Sequence, residues 1–134
     1  MPQSLAMAEA ETYASLRITK PGMSPDAVTV RLGIEPTYSH EAGDQRRRGA
    51  PFRLAMWSLS TESDGRGPLD EHLARLLDRI EPKRAVLIDM AAEGFAMDWF
   101  CFVSVDGNGG VVLPAQILQR LATLPIDLDL DIYG

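Results

Sequence analysis

At 134 residues, with 46% hydrophobic and 24% charged residues, the chain has the makeup of one soluble globular domain large enough for a single core. A net charge of −6 disfavours general nucleic-acid binding, which relies on a basic surface, and a single cysteine excludes an internal disulfide and a cysteine-built zinc site. No apolar run approaches the roughly 20 residues a membrane span needs, so a cytoplasmic protein without membrane association is expected.

Residues 1–10 are alanine-rich and uncapped, and read as a flexible tail ahead of one domain at 11–134. They lack the basic start and continuous apolar stretch of a signal peptide. Thr12 to Thr19 alternates, with Ala14, Leu16 and Ile18 on one side and Tyr13, Ser15 and Arg17 on the other, the pattern of a half-buried strand. Lys20-Pro21-Gly22 turns the chain into Ser24–Thr37, a helix with defined ends. Ser24 is an expected N-cap whose hydroxyl accepts from a first-turn amide, and Pro25 suits the first helical position. Asp26 complements the helix dipole, and Val28 and Leu32 share one face. Gly33 fits a left-handed terminus, and Pro36 stops the helix from resuming.

The string Pro25, Asp26, Ala27, Val28, Thr29, Leu32, Gly33, Ile34, Pro36, Thr37 resembles the signature of domain-of-unknown-function family 4279, found mostly in bacteria. The resemblance extends over most of the chain after about residue 12, through a preceding strand ending at Ile18, a loop glycine at Gly43 and a strand tryptophan at Trp57. A leucine-rich helix, Leu73 to Ile80, and an alternating last strand near Tyr133 also fit. The resemblance implies a small bacterial α+β domain and carries no catalytic residues over. Ala42 stands where the family often has lysine, so no role for that lysine transfers.

Tyr38 to Pro51 is an irregular stretch, longer than most loops of compact domains and so a place to look for function. Phe52 to Thr61 has apolar residues on both faces and reads as an interior strand. Pro68 to Ile80 is an amphipathic helix with Leu69, Leu73, Leu76, Leu77 and Ile80 in one stripe, stopped by Pro82. Ala85 to Met90 reads as a short apolar strand. Phe95 to Val105 is a long strand whose second face carries Phe100 and Phe102, which a solvated face would not normally expose. Asp106 to Gly110 reads as a tight turn, Pro114 opens a third helix, and Ile126 to Tyr133 alternates strictly, with Ile126, Leu128, Leu130 and Ile132 expected inward and Asp127, Asp129, Asp131 and Tyr133 outward.

The order β-α-β-α-β-β-α-β predicts an α+β two-layer sandwich, with a ferredoxin-like topology as the working expectation. Asp127, Asp129 and Asp131 stand about 7 Å apart along a strand, too far to converge on one ion without bending it, so a solvated face is favoured over a metal site. Cys101, inside an apolar strand, reads as a buried inert thiol, and His72 as a surface histidine on the side of its helix away from the leucine stripe. No cofactor is expected. The residue patterns point first to a non-enzymatic protein-interaction or regulatory module, of which an immunity-type protein is one form. Phe100 and Phe102 are its oligomer-interface candidates, and its partner is a second copy or another protein. The competing expectation is a small enzyme or ligand-binding protein, with a site at His40, Glu41, Asp44, Arg46, Arg47 and Arg48 in the long loop. Weak nucleic-acid binding through Arg46–Arg48 ranks third because of the net charge.

Overall fold

The computed structural model describes residues 12–65, 67–104 and 109–133. Its strands are β1 (Thr12–Thr19), β2 (Tyr38–His40), β3 (Met56–Ser60), β4 (Ala96–Ser104) and β5 (Asp127–Tyr133). Its helices are α1 (Pro25–Leu32), α2 (Leu69–Ile80), α3 (Arg84–Ala92) and α4 (Ala115–Ala122), with a short 3-10 turn at Glu81–Lys83 joining α2 to α3. The strands form one sheet in the order β2-β3-β1-β4-β5. β1 pairs antiparallel with both β3 and β4, and β2 pairs antiparallel with β3, whereas β5 runs parallel to β4.

β1 holds the centre because its alternation is the cleanest. Ala14, Leu16 and Ile18 are fully buried on the inner face. Leu16 lies between Leu59 and Trp99, and Ile18 between Trp57 and Met97. Buried residues of all four helices join this inner face in one core, which makes a two-layer α+β sandwich. Through β4, with α2 and α3 counted as one connection, the chain runs β-α-β-β-α-β. β3 sits between β1 and β2, and β1 between β3 and β4, which is the split-βαβ topology of ferredoxin-like folds. α4 and β5 then add a parallel strand outside β4.

The order of elements differs from the expected one in two places. Residues 85–90 lie in α3 and form no strand. A short apolar run fits either structure, and here Val86, Leu87, Met90 and Ala91 turn to the core at helical spacing. The expected strand at 52–61 narrows to β3, while Tyr38–His40, inside the expected loop, pairs with it as β2. The expected tail at 1–10 and most of the turn at 106–110 lie outside the described residues.

α1 ends as its sequence dictates. Gly33 takes φ 69° and donates its N–H to the Thr29 carbonyl at 2.7 Å. Ser24 occupies the N-cap with extended backbone, yet its hydroxyl makes no capping bond. Pro25 and Asp26 therefore define that end without it. A Cβ at Gly33 would meet only the Lys83 Nζ, at 3.8 Å. The cost of Gly33→Ala is thus conformational, an expected loss of about 1 kcal/mol seen as a lower urea midpoint at unchanged slope.

Candidate functional site

Among the described residues every helix lies on the inner face and none covers the opposite face of the sheet, whose side chains follow from strand parity. β1 presents Tyr13, Ser15, Arg17 and Thr19; β3 presents Met56, Ser58 and Ser60; β4 presents Asp98, Phe100 and Phe102; β5 presents its three aspartates and Tyr133. Ser15 pairs with Ser60 on one side and with Phe100 on the other, and Arg17 lies between Ser58 and Asp98. Small hydroxyl residues flanked by larger ones make a shallow trough of about 600 Å³. Ser15, Ser58 and Ser60 floor it, Tyr13, Arg17 and Phe100 line one side, and Thr37 and Tyr38 line the other.

Two linked clusters organise this face. Arg17 Nε and Nη2 donate to both Asp98 carboxylate oxygens at 2.9 and 2.6 Å, and Nη2 also reaches Asp129 Oδ2 at 3.3 Å. The hydrogen bond to Asp98 and the two negative charges hold the guanidinium pKa above its ordinary value, so Arg17 stays a cation. It also lies over the Phe100 ring, 4.4 Å from the centroid, a cation–π contact. Beside it runs an aromatic row in which Phe102 stacks on Tyr13 at 5.4 Å and meets Tyr133 at 5.2 Å. Phe100 and Phe102 therefore share the open face and are only partly covered, by side chains of neighbouring strands.

The loop residues expected to gather into a site are used to fasten the loop. His40 is buried at the end of β2, with Tyr38 Oη 2.8 Å from Nδ1 and the Leu54 carbonyl 2.9 Å from Nε2. Phe52 stacks on the His40 ring at 3.5 Å, and the Arg46 guanidinium sits 5.2 Å from the Phe52 centroid. The Asp44 carboxylate accepts the Glu41 N–H at 2.8 Å and so closes a local turn. Glu41, Asp44, Arg46, Arg47 and Arg48 are all exposed. The structure thus joins His40 to Arg46 through Phe52, while Glu41 and Asp44 form their own turn. Residues 41–48 do not line the trough.

Two further expectations concern buried groups. Cys101 is buried as expected, and burial pushes its thiol up to about 12, with Asp129 and Asp98 adding to the effect. That leaves a thiol with almost no thiolate at neutral pH. His72, expected at the surface, is fully buried instead. It lies three residues after Leu69 and four before Leu76, so it belongs to the stripe from which it was expected to point away. Thr61 and Arg75 both reach its Nδ1, which lowers the cost of burying that nitrogen.

A second concavity, about 380 Å³, lies beside the Ser24 helix and is lined by Lys20, Met23, Ser24, Val28, Arg31 and Phe95 among others. Arg31 is paired with Glu93 there, and Lys20 Nζ lies 4.8 Å from the Phe95 centroid. Among the described residues, no cluster of histidine, cysteine and carboxylate side chains has the form of a metal site. Arg17 and Asp98, the main charges of the open face, were not singled out from sequence. The alternation of β1 placed Arg17 on the outer face, but its partner is 81 residues away. Comparison with curated proteins finds no match, and neither does comparison with solved structures. A family model matches residues 10–134, nearly the whole length, and the chain belongs to the family described as Domain of unknown function (DUF4279).

Proposed function

We propose that this domain is a non-enzymatic protein-interaction module of regulatory or immunity type whose binding surface is the open face of the sheet. The observation that supports this is the aromatic row Tyr13–Phe102–Tyr133, set beside Phe100 and an Arg17 cation paired with Asp98 and Asp129. Aromatic residues and arginine are the groups that anchor protein interfaces. Asp98, Asp127, Asp129 and Asp131 give the face an acidic side, in keeping with the net charge of −6. An acidic face steers and selects a basic partner, and it repels a second copy of itself.

The test compares capture from a native lysate by the wild-type domain and by Phe100→Ala/Phe102→Ala, after circular dichroism has shown the same fold for both. A basic protein retained by the wild type is expected to bind the variant at least about tenfold more weakly. Equal retention by both proteins, or a variant that loses nothing, sinks the proposal.

A further inference from the structure

The outer edge of β5 is the least finished part of the fold. No described strand pairs with it. Its aliphatic residues turn to the helix side of the sheet, where their β4 neighbours Trp99, Cys101 and Val103 are buried. Yet Leu128, Leu130 and Ile132 keep 40, 44 and 54% of their surface exposed. Leu118 of α4 and Val112, just ahead of that helix, are exposed as well. On the other side of the strand stand Asp127, Asp129 and Asp131, and Arg17 reaches only Asp129. A seven-residue edge strand thus presents open backbone, an aliphatic row and an acidic row together.

Natural edge strands are usually blunted against pairing. Here the blunting is selective. A second copy added antiparallel around an axis normal to the sheet sets aspartate beside aspartate, and like charges in neighbouring strands destabilise the pair. A copy added with its faces reversed sets aspartate beside the leucines. A strand that alternates lysine or arginine with valine, leucine or isoleucine meets neither obstacle. Its cations come beside the aspartates, its aliphatic residues lie beside Leu128, Leu130 and Ile132, and its backbone completes the edge.

We infer that β5 is a strand-addition site for an extended segment of a partner protein in which basic and aliphatic residues alternate. This rests on the interaction-module reading and adds to it the docking mode and the chemistry of the docked segment. The added strand lies beside Tyr133 and Asp131, at the β5 end of the aromatic row.

The experiment uses the full chain and a synthetic heptapeptide of alternating lysine and valine with capped ends. Controls are the same peptide N-methylated at alternate residues, a peptide with its lysines and valines in separate blocks, and an alternating glutamate–valine peptide. The expected result is saturable binding of the first peptide alone, with new hydrogen-exchange protection of β5 amides. Affinity should fall as salt rises, and fall about tenfold in Asp127→Asn/Asp129→Asn/Asp131→Asn, whose fold is checked by circular dichroism. Equal binding of the N-methylated peptide, or shifts confined to Tyr13, Phe100 and Phe102, overturns strand addition while leaving the open-face module in place. Absence of binding by every peptide overturns the inference too. Concentration-dependent protection of β5 without peptide assigns the edge to a second copy and overturns it as well. Failure of the broader module reading is read separately, from unchanged partner capture by the Phe100→Ala/Phe102→Ala variant.

Discussion

Trp57→Ala is expected to destabilise the domain by about 3–5 kcal/mol. Trp57 is fully buried in β3, where it pairs with Ile18 of the central strand. Removing the indole leaves a cavity under the centre of the sheet and also strands a hydrogen bond, because Trp57 Nε1 donates to Thr29 Oγ1 at 3.0 Å. That bond ties the middle of α1 to the sheet. It explains why a threonine sits inside a helix that would otherwise favour a straight-chain residue there. Thr29→Val keeps the shape and removes the acceptor, so it should cost about 1–2 kcal/mol through the unsatisfied indole N–H. A double-mutant cycle of Thr29→Val with Trp57→Phe should return a coupling of about 1 kcal/mol, since the two groups touch. Urea unfolding followed by far-ultraviolet circular dichroism makes the measurement, because the second tryptophan, Trp99, is also buried in the core and would blur fluorescence. A Trp57→Ala loss below about 1 kcal/mol would show that the α1–β3 contact is not part of the core as described.

The logic of Ser24–Thr37 is therefore scaffold logic. Asp26 and Gly33 mark the ends of α1, Val28 and Leu32 bury it, and Thr29 pins it to Trp57. All but the last of these were legible in sequence, because caps, breakers and i,i+4 pairs act within a few residues of one another. The same holds for β1 and for the leucine stripe of α2, but not for the split-βαβ arrangement, which depends on β2 inside the expected loop and on residues 85–90 being helical. What escaped depends on contacts between distant residues. Ala85 to Met90 reads equally well as strand or helix until the core it faces is known. Leu128, Leu130 and Ile132, expected to face inward, turn to the helix side yet stay largely exposed, because periodicity cannot tell how far the helix layer extends over the sheet edge. His40 shows no partner in its own stretch of sequence because Phe52 and the Leu54 carbonyl, which hold it, lie 12 and 14 residues further along the chain. The open face was half legible. Phe100 and Phe102 stood out by type, whereas Arg17 became part of it only through pairing with Asp98 and Asp129.

His72 supplies the second large effect, and it depends on pH. Its Nδ1 lies 2.8 Å from Arg75 Nη2 and 2.7 Å from Thr61 Oγ1. A guanidinium has only donors, so Nδ1 must accept, which puts the ring proton on Nε2 and leaves the imidazole neutral. Thr61 in turn accepts the Ala14 N–H at 3.1 Å, so the histidine closes a network that links α2 to β1. Burial lowers the His72 pKa, the Arg75 charge lowers it further, and Asp64, the Gly67 backbone and Glu71 only partly oppose them. The unfolded chain therefore takes up a proton near the ordinary histidine value of about 6.5, while the folded protein resists doing so until a lower pH. Stability is at its full value above that range and falls as pH drops through it, because the unfolded state binds more protons there. Glu81 and Glu93, held below their ordinary values by hydrogen bonds from Arg120 and Arg31, lose their contribution at still lower pH. His72→Gln removes the titration while keeping an oxygen that can face Arg75. It should cost about 1–3 kcal/mol near neutrality, from imperfect replacement of a buried partner. Between about pH 7.5 and pH 5.5 the wild type should lose stability to urea and His72→Gln should lose distinctly less, so the gap between them narrows as the solution is acidified. Parallel curves would mean that the buried ring is not the titrating group, and a wild type that gains stability on acidification would reverse the sign and with it the neutral, Arg75-facing histidine.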